Sequence, residues 1–378
     1  MALTAPQRQP DPRIRVMIVD DSAVIRGLVS RWLEAEPQFE VVGSCIDGMD
    51  AVKRAPDMRP DVIVLDIEMP RMDGLTALPK LLEAAPGARI IMASTLTQRG
   101  AEVTIKALSL GAKDFLAKPD ARKLAGAADY KRLLIEKLTG LGLPRARSRT
   151  AQGASAPASG PANAARSPAP APARPPIRLA RAVAQRPELL VIGSSTGGPQ
   201  ALREVVCGLA GKVAVPVLIV QHMPAMFTAI LAEHLAKASR AEVREAKDGD
   251  ALTPGVFLVA PGDHHMVVED RNGRRTIRLN QSPPINFCRP AVDPLFQTAA
   301  QATGGRILGC VLTGMGSDGR NGSDAIVKAG GAVIVQDEPT SIVWGMPGSV
   351  ANAGLAASIK PLREIAPALL DVLKGNTP

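Results

Sequence analysis

No apolar run in this 378-residue chain approaches the roughly 18 residues of a membrane span, and the opening MALTAPQRQP lacks the apolar core of a secretory signal. The expected location is the cytoplasm, with no insertion into a membrane. Cysteine is scarce. Cys45, Cys207, Cys288 and Cys310 stand far apart with no C-x-x-C pair, so neither a zinc site nor a disulfide framework is indicated, and the thiols are expected to be buried or idle. Histidine numbers only four, which narrows the choice of any general base. What is present, 46% hydrophobic and 21% charged residues, suits a soluble chain long enough for two domains with separate cores.

One stretch lacks most of the charged alphabet. From Arg145 to Pro187 there are eight arginines and no lysine, aspartate or glutamate, so this segment alone holds +8 of the formal net charge of +9. It is rich in Pro, Ala, Ser and Gly and poor in residues that could be buried, the composition of an extended, disordered, self-repelling linker. With that charge set aside the remainder is nearly neutral, and nucleic acid is not an expected partner.

Before the linker, short apolar runs alternate with longer periodic segments: IRVMIV (14–19), EVVGSC (40–45), DVIVLD (61–66), RIIMAS (89–94) and KDFLAK (113–118). Five strands separated by helices predict a flavodoxin-like doubly wound domain over 13–140, with a parallel sheet whose carboxyl edge gathers ligands. The chain puts Asp20 and Asp21, Asp66, Ser94 and Lys118 at that edge. Three converging carboxylates repel one another unless a hard cation sits among them, and Mg²⁺ takes a few carboxylates together with water and phosphate oxygens. Taken singly, Ser94 could be a helix cap and Lys118 a solvated charge.

VDDSAVIR, VLDIEMPRMDG and GAKDFLAKP resemble the signatures of bacterial response-regulator receiver domains. The resemblance implies that Asp66 accepts a phosphoryl group from a histidine kinase, that Asp20 and Asp21 hold Mg²⁺ with it, that Ser94 and Lys118 read the phosphoryl oxygens, and that Phe115 is the switch aromatic.

After the linker, VIGSSTGGPQ (191–200) raises the question of a phosphate loop. Gly193 and Gly198 have the Walker A separation, but Pro199 stands where its lysine belongs, and Ser195 replaces the second glycine of a dinucleotide fingerprint. The pattern that fits is G-x-S-x-G over Gly193–Gly197, a sharp strand-to-helix turn that presents a serine. ELLVIG (188–193) supplies a strand before it, and Pro199 can open the helix after it. The further runs VPVLIV (215–220), ILGCVL (307–312) and AVIV (332–335) predict a doubly wound, mostly parallel α/β domain over 188–373.

A serine hydroxyl needs a base, and the base an acid. His222, directly after VPVLIV, is the favoured base; His264 and His265, in a turn, remain alternatives, and His234 in a helical stretch is expected to pack or face solvent. Asp318, after ILGCVL, is the favoured acid, with Asp248, Asp250, Asp263 and Asp293 still open on position alone. The order Ser195, His222, Asp318 departs from that of α/β-hydrolases.

Together, GSSTGG, VQHMP and LTGMGSDG resemble the catalytic domain of the CheB family of chemotaxis protein-glutamate methylesterases, and the order receiver, linker, catalytic domain matches that family. The resemblance implies a phosphorylation-activated serine hydrolase that demethylates chemoreceptor glutamates and deamidates glutamines, with Ser195 as nucleophile, His222 as proton shuttle and Asp318 as its orienter. It needs no cofactor beyond the receiver's Mg²⁺. The backbone N–H groups of Thr196 and Met315 are candidates for the oxyanion hole. Many family members have alanine where this chain has Ser194, so the sequence offers two adjacent serines. A monomer is expected. Rival readings are a response regulator whose second domain only binds phosphate or nucleotide, a DNA-binding output, and a small-molecule esterase.

Overall fold

The computed structural model describes residues 13–118, 127–153, 179–180 and 185–376. In chain order the first unit contains β1 (Ile14–Val19), α1 (Ala23–Glu34), β2 (Phe39–Cys45), α2 (Gly48–Met58), β3 (Val62–Asp66), α3 (Gly74–Ala84), β4 (Arg89–Ser94), α4 (Gln98–Ser109), β5 (Asp114–Ala117) and α5 (Ala127–Gly153). Helices α1 to α4 each begin at a capping side chain, Ser22, Asp47, Asp73 and Thr97, which accepts a hydrogen bond from a first-turn N–H. The five strands pair in parallel in the order β2-β1-β3-β4-β5, the doubly wound order expected from the sequence.

Helix α5 corrects the predicted linker boundary. It continues to Gly153 instead of giving way to linker at 145, because Ala146 is buried against the first unit and Arg149 pairs with Asp61 at 2.7 Å and donates to the Arg13 carbonyl. At the far end, Ala180 donates to the Ala356 carbonyl and Arg186 to that of Leu373, so this part of the predicted linker lies on the second unit. The rest of the predicted linker, 154–178 and 181–184, falls outside the described residues.

The second unit runs through β6 (Leu189–Ser194), α6 (Gly198–Leu209), β7 (Val217–Gln221), α7 (Ala225–Ser239), β8 (Val243–Glu245), β9 (Phe257–Val259), β10 (His265–Arg271), β11 (Arg274–Asn280), α8 (Val292–Thr303), β12 (Ile307–Val311), α9 (Arg320–Lys328), β13 (Ala332–Gln336), α10 (Gly345–Asn352), β14 (Ser358–Lys360) and α11 (Leu362–Leu373). Seven strands form a parallel sheet in the order β14-β13-β12-β6-β7-β9-β8, and β10 and β11 form a separate antiparallel hairpin. Strands β6, β7 and β12 are buried along their whole length, which is why they read as unbroken apolar runs. The chain leaves β6 toward β7 on one side and returns through β12 on the other. The carboxyl end of β6 is therefore a topological switch point, where sheets of this kind open a crevice.

The two units share a buried core cluster that includes Phe115 of β5 and Phe227 of α7, whose rings stack with centroids 4.5 Å apart. Polar contacts fix the same face. Gln200 Nε2 donates to the Leu108 and Ala112 carbonyls at 2.5 and 2.8 Å, Ser109 Oγ lies 3.1 Å from His234 Nε2, and Arg89 donates to the Ile342 carbonyl at 2.7 Å.

Candidate active site

The turn after β6 is built by two glycines that cannot be replaced cheaply. A Cβ at Gly193 would meet the Val292 side chain at 2.6 Å, and Gly197 sits at φ +77° against Ile342. Between them, Ser194 and Ser195 have different fates. Ser194 is fully buried, and its hydroxyl donates to Gln221 Oε1 at 2.7 Å. Ser195 lines a cavity of about 460 Å³, and its hydroxyl has no hydrogen-bond partner among the described residues.

The same cavity is lined by His222, directly after β7, and by Asp318, in the turn between β12 and α9. His222 Nε2 lies 2.8 Å from Asp318 Oδ2. A carboxylate in that position fixes the proton on Nε2 and leaves Nδ1 as the lone-pair nitrogen. In this arrangement Nδ1 faces the Cys288 thiol, with Sγ at 3.4 Å, rather than the Ser195 hydroxyl. Burial works against charging the His222 imidazole, but Cys288 and the Asp318 carboxylate outweigh it and hold the group above its usual range.

Asp318 is itself held by the start of α8. It accepts the N–H groups of Val292 at 2.6 Å and Asp293 at 3.0 Å, and that of Gly319 at 2.9 Å. Burial alone would raise its carboxyl, yet the His222 hydrogen bond and these amides keep it below the ordinary carboxylate range. Asp293 performs the reciprocal task for α9, accepting from Gly319 at 3.0 Å and Gly322 at 2.7 Å. Sequence position left Asp293 open as an acid; the structure makes it the support of the loop that carries Asp318. The other candidates are occupied elsewhere, Asp248 with Arg278, Asp250 with Arg244 and Asp263 with Arg289, each at 2.6 Å.

His265 is buried; it accepts the Ala291 N–H on Nδ1 and faces the Pro283 carbonyl with Nε2, so it secures the loop before α8. His264 faces the Gly262 carbonyl at 3.4 Å, and His234 lies in α7 on the domain interface. Neither the Thr196 nor the Met315 backbone N–H has an acceptor among the described residues. The Thr196 hydroxyl, however, donates across the interface to Asp114 Oδ2 at 2.7 Å, and Asp114 also pairs with Lys137 of α5 at 2.6 Å. The first unit roofs the cavity with Phe115, Arg132, Leu133, Glu136 and Lys137.

A second constellation lies at the carboxyl edge of the first sheet. Asp20, Asp21 and Asp66 each present a carboxylate oxygen within 4.8 Å of the others, the donor chemistry of a hard divalent cation, with Asp21 exposed. Lys118 Nζ bridges Asp20 and Asp66 at 2.7 Å each. Burial, opposed by Lys118, pushes Asp66 up to about 6, while the two carboxylates raise Lys118 against its own desolvation. Ser94 is at this edge, its hydroxyl donating to the Gly100 carbonyl at 3.2 Å and the Thr95 carbonyl at 3.3 Å. Phe115 is buried and turned toward the second unit.

The two units are thus a receiver-type phosphoacceptor domain and an α/β domain with a serine at its switch point. Residues 16–129 match the response regulator receiver domain and residues 190–369 match the CheB methylesterase model. A protein from Maricaulis maris named protein-glutamate methylesterase/protein-glutamine glutaminase is 49% identical over the full length of both chains. One of the same name, numbered 2, from Caulobacter vibrioides is 52% identical over 94% of this chain and 97% of its own. The crystal structure of the Thermotoga maritima CheB methylesterase catalytic domain is 39% identical, covering 49% of this chain and 98% of that one, with a TM-score of 0.48. The chain belongs to the CheB methylesterase family.

Proposed function

We propose that this chain hydrolyses glutamate methyl esters on chemoreceptors, and deamidates glutamines there, with Ser195 as nucleophile and under control of phosphorylation at Asp66. The observation that carries the reading is the convergence of Ser195, His222 and Asp318 from three adjacent parallel strands into one cavity. The curated relatives' names supply the substrate class.

In the reaction, Ser195 Oγ attacks the side-chain ester carbonyl while its proton passes to His222 Nδ1, which has to exchange its contact with the Cys288 thiol for one with the serine hydroxyl. The oxyanion that forms takes hydrogen bonds from the Thr196 and Met315 N–H groups, and such donors contribute about 3 kcal/mol each when aimed at the developing charge. Methanol leaves with the proton from Nδ1, and an acyl-serine remains. Water then repeats the sequence and releases the glutamate carboxylate. A glutamine amide follows the same path with ammonia as leaving group. Asp318 holds the Nε2–H throughout, and each step draws on side chains and amides of the chain itself.

At the receiver edge, Asp20, Asp21 and Asp66 fit Mg²⁺, which when bound compensates the charge of an incoming phosphoryl group. A chemotaxis histidine kinase is the proposed phosphodonor. Lys118 already touches Asp66 and would follow the phosphoryl oxygens; Ser94 has to rotate toward them. Methanol release from methylated receptor membranes tests the esterase. Ser195→Ala should lose at least about 10³-fold in rate, and a fluorophosphonate probe should label wild type at Ser195. Labelling that survives Ser195→Ala but not Ser194→Ala would move the nucleophile by one residue.

A further inference from the structure

Cys288 is a nucleophile in the cavity that the proposed hydrolysis does not use. It sits at the end of a tight turn in which the Ile285 and Cys288 backbones exchange hydrogen bonds at 3.1 and 2.9 Å. The two residues inside that turn, Asn286 and Phe287, have φ of +49° and +62°. A bulky residue such as Phe is uncommon at positive φ and persists there only where its surroundings dictate it. Those surroundings are substantial: Arg289 pairs with Asp263 and donates to the Gln281 and Ser282 carbonyls, and the Arg132 guanidinium lies 4.0 Å over the Phe287 ring. The outcome of the strained turn is that Sγ rests 3.4 Å from His222 Nδ1, the nitrogen that must receive the serine proton.

Cysteine, histidine and aspartate therefore stand in relay, Sγ to Nδ1 and Nε2 to Asp318 Oδ2. The other thiols lack this setting. Cys45 and Cys310 are buried, and burial raises both thiols, Cys45 up to about 12. Cys207 is exposed, with no imidazole partner among the described residues. We propose that Cys288 is an oxidant-sensitive modification site through which hydroperoxides switch off the hydrolase.

The inference rests on the reading of His222 as the base. In the step, the Cys288 proton moves to Nδ1 and the sulfur attacks the distal oxygen of the peroxide. The S–O bond forms as the O–O bond breaks, the sulfur is oxidised by two electrons, and the leaving oxygen takes the proton from the imidazolium as water or an alcohol. The sulfenic acid that results lies against Nδ1 and occupies the nitrogen that the serine proton needs. Two equivalents of a thiol restore the cysteine, releasing water and a disulfide. Cys288 and His222 both line the 460 Å³ cavity, which has room for a hydroperoxide.

The test uses the full chain, treated with hydrogen peroxide, quenched with catalase and divided between a methanol-release assay and dimedone trapping with peptide mass spectrometry. Wild type should lose about 100-fold or more in rate, the worth of a general base, and recover with dithiothreitol. The dimedone adduct should map to Cys288 and be lost in His222→Gln. Cys207→Ala should respond as wild type does, whereas Cys288→Ala should keep its own untreated rate. If Cys288→Ala does not fold, Cys288→Ser retains the volume without the sulfenic chemistry. The proposal is overturned if Cys288→Ala is inactivated as far as wild type, if oxidised wild type keeps its rate, or if the adduct maps only to Cys207. Untreated wild type that releases no methanol would instead overturn the esterase reading, and the adduct would still decide the reactivity of Cys288.

Discussion

At His222 the requirement for catalysis and the electrostatics of the site pull against each other. Nδ1 must be unprotonated to take the serine proton, yet its neighbours raise the imidazole above the ordinary value of about 6.5. The rate should therefore climb with pH, with its midpoint above that value. Asp318→Asn removes one of the raising contacts and the tautomer control, so the midpoint should move down and the rate fall by about 10³-fold or more. A kcat/KM profile flat from pH 6 to 9, or one unmoved by Asp318→Asn, would exclude His222 as the titrating base. The positions of Ser195, His222 and Asp318 were readable because each follows an apolar run that ends at the same sheet edge. The contact of Cys288 with His222 was not, because it depends on a strained turn 66 residues away in sequence. Nor did the sequence reveal that Asp293 and Asp318 hold the ends of each other's helices.

Among the elements, β5 and α5 connect receiver and hydrolase. Asp114 and Phe115, consecutive on β5, respectively accept the Thr196 hydroxyl and stack on Phe227, while α5 carries Lys137 and the cavity roof. If phosphorylation works by parting the receiver from the hydrolase, the arrangement seen here is the closed one; a buried hydrogen bond to a charged group contributes about 1.5–3 kcal/mol, so Asp114→Ala should shift the closed-to-open ratio by roughly 10- to 100-fold. Basal methanol release without phosphodonor should rise accordingly, and Phe115→Ala should act in the same direction. Basal rates at or below wild type in both variants would exclude this face as the restraint. The strands of both sheets were legible from apolar runs, with ends displaced by a residue or two. The three-residue strands β8, β9 and β14 were not, being too short to stand out as runs, and neither was the β10–β11 hairpin, whose strands are only partly buried. The overrun of α5 past 145 was hidden by the arginine-rich composition, which looks solvated until Asp61 is in place to receive Arg149.

For the whole molecule, the proposed phosphorylation site lies apart from the hydrolase cavity, and among the described residues the two units meet through an interface. Asp66 and Lys118 lie at the carboxyl edge of the receiver sheet, and β5, which ends one residue before Lys118, bears the two interface residues Asp114 and Phe115. On the proposed reading, a phosphoryl group on Asp66 would recruit Lys118 and Ser94, and any differential energy for the two settings of β5 and α5 would become a shift in the fraction of open enzyme. Acetyl phosphate with Mg²⁺ should therefore raise methanol release in wild type, and Asp66→Asn should abolish the increase while leaving the basal rate. A tenfold increase corresponds to about 1.4 kcal/mol of differential stabilisation, within what one or two new charge-assisted hydrogen bonds supply. Asp114→Ala draws on the same equilibrium from the other end, so the two effects should not multiply. In Asp114→Ala the phosphodonor should add little to an already raised rate, and Asp66→Asn combined with Asp114→Ala should be as active as Asp114→Ala alone. Full multiplication of the two effects would mean that phosphorylation reaches the hydrolase by a route other than the β5 face.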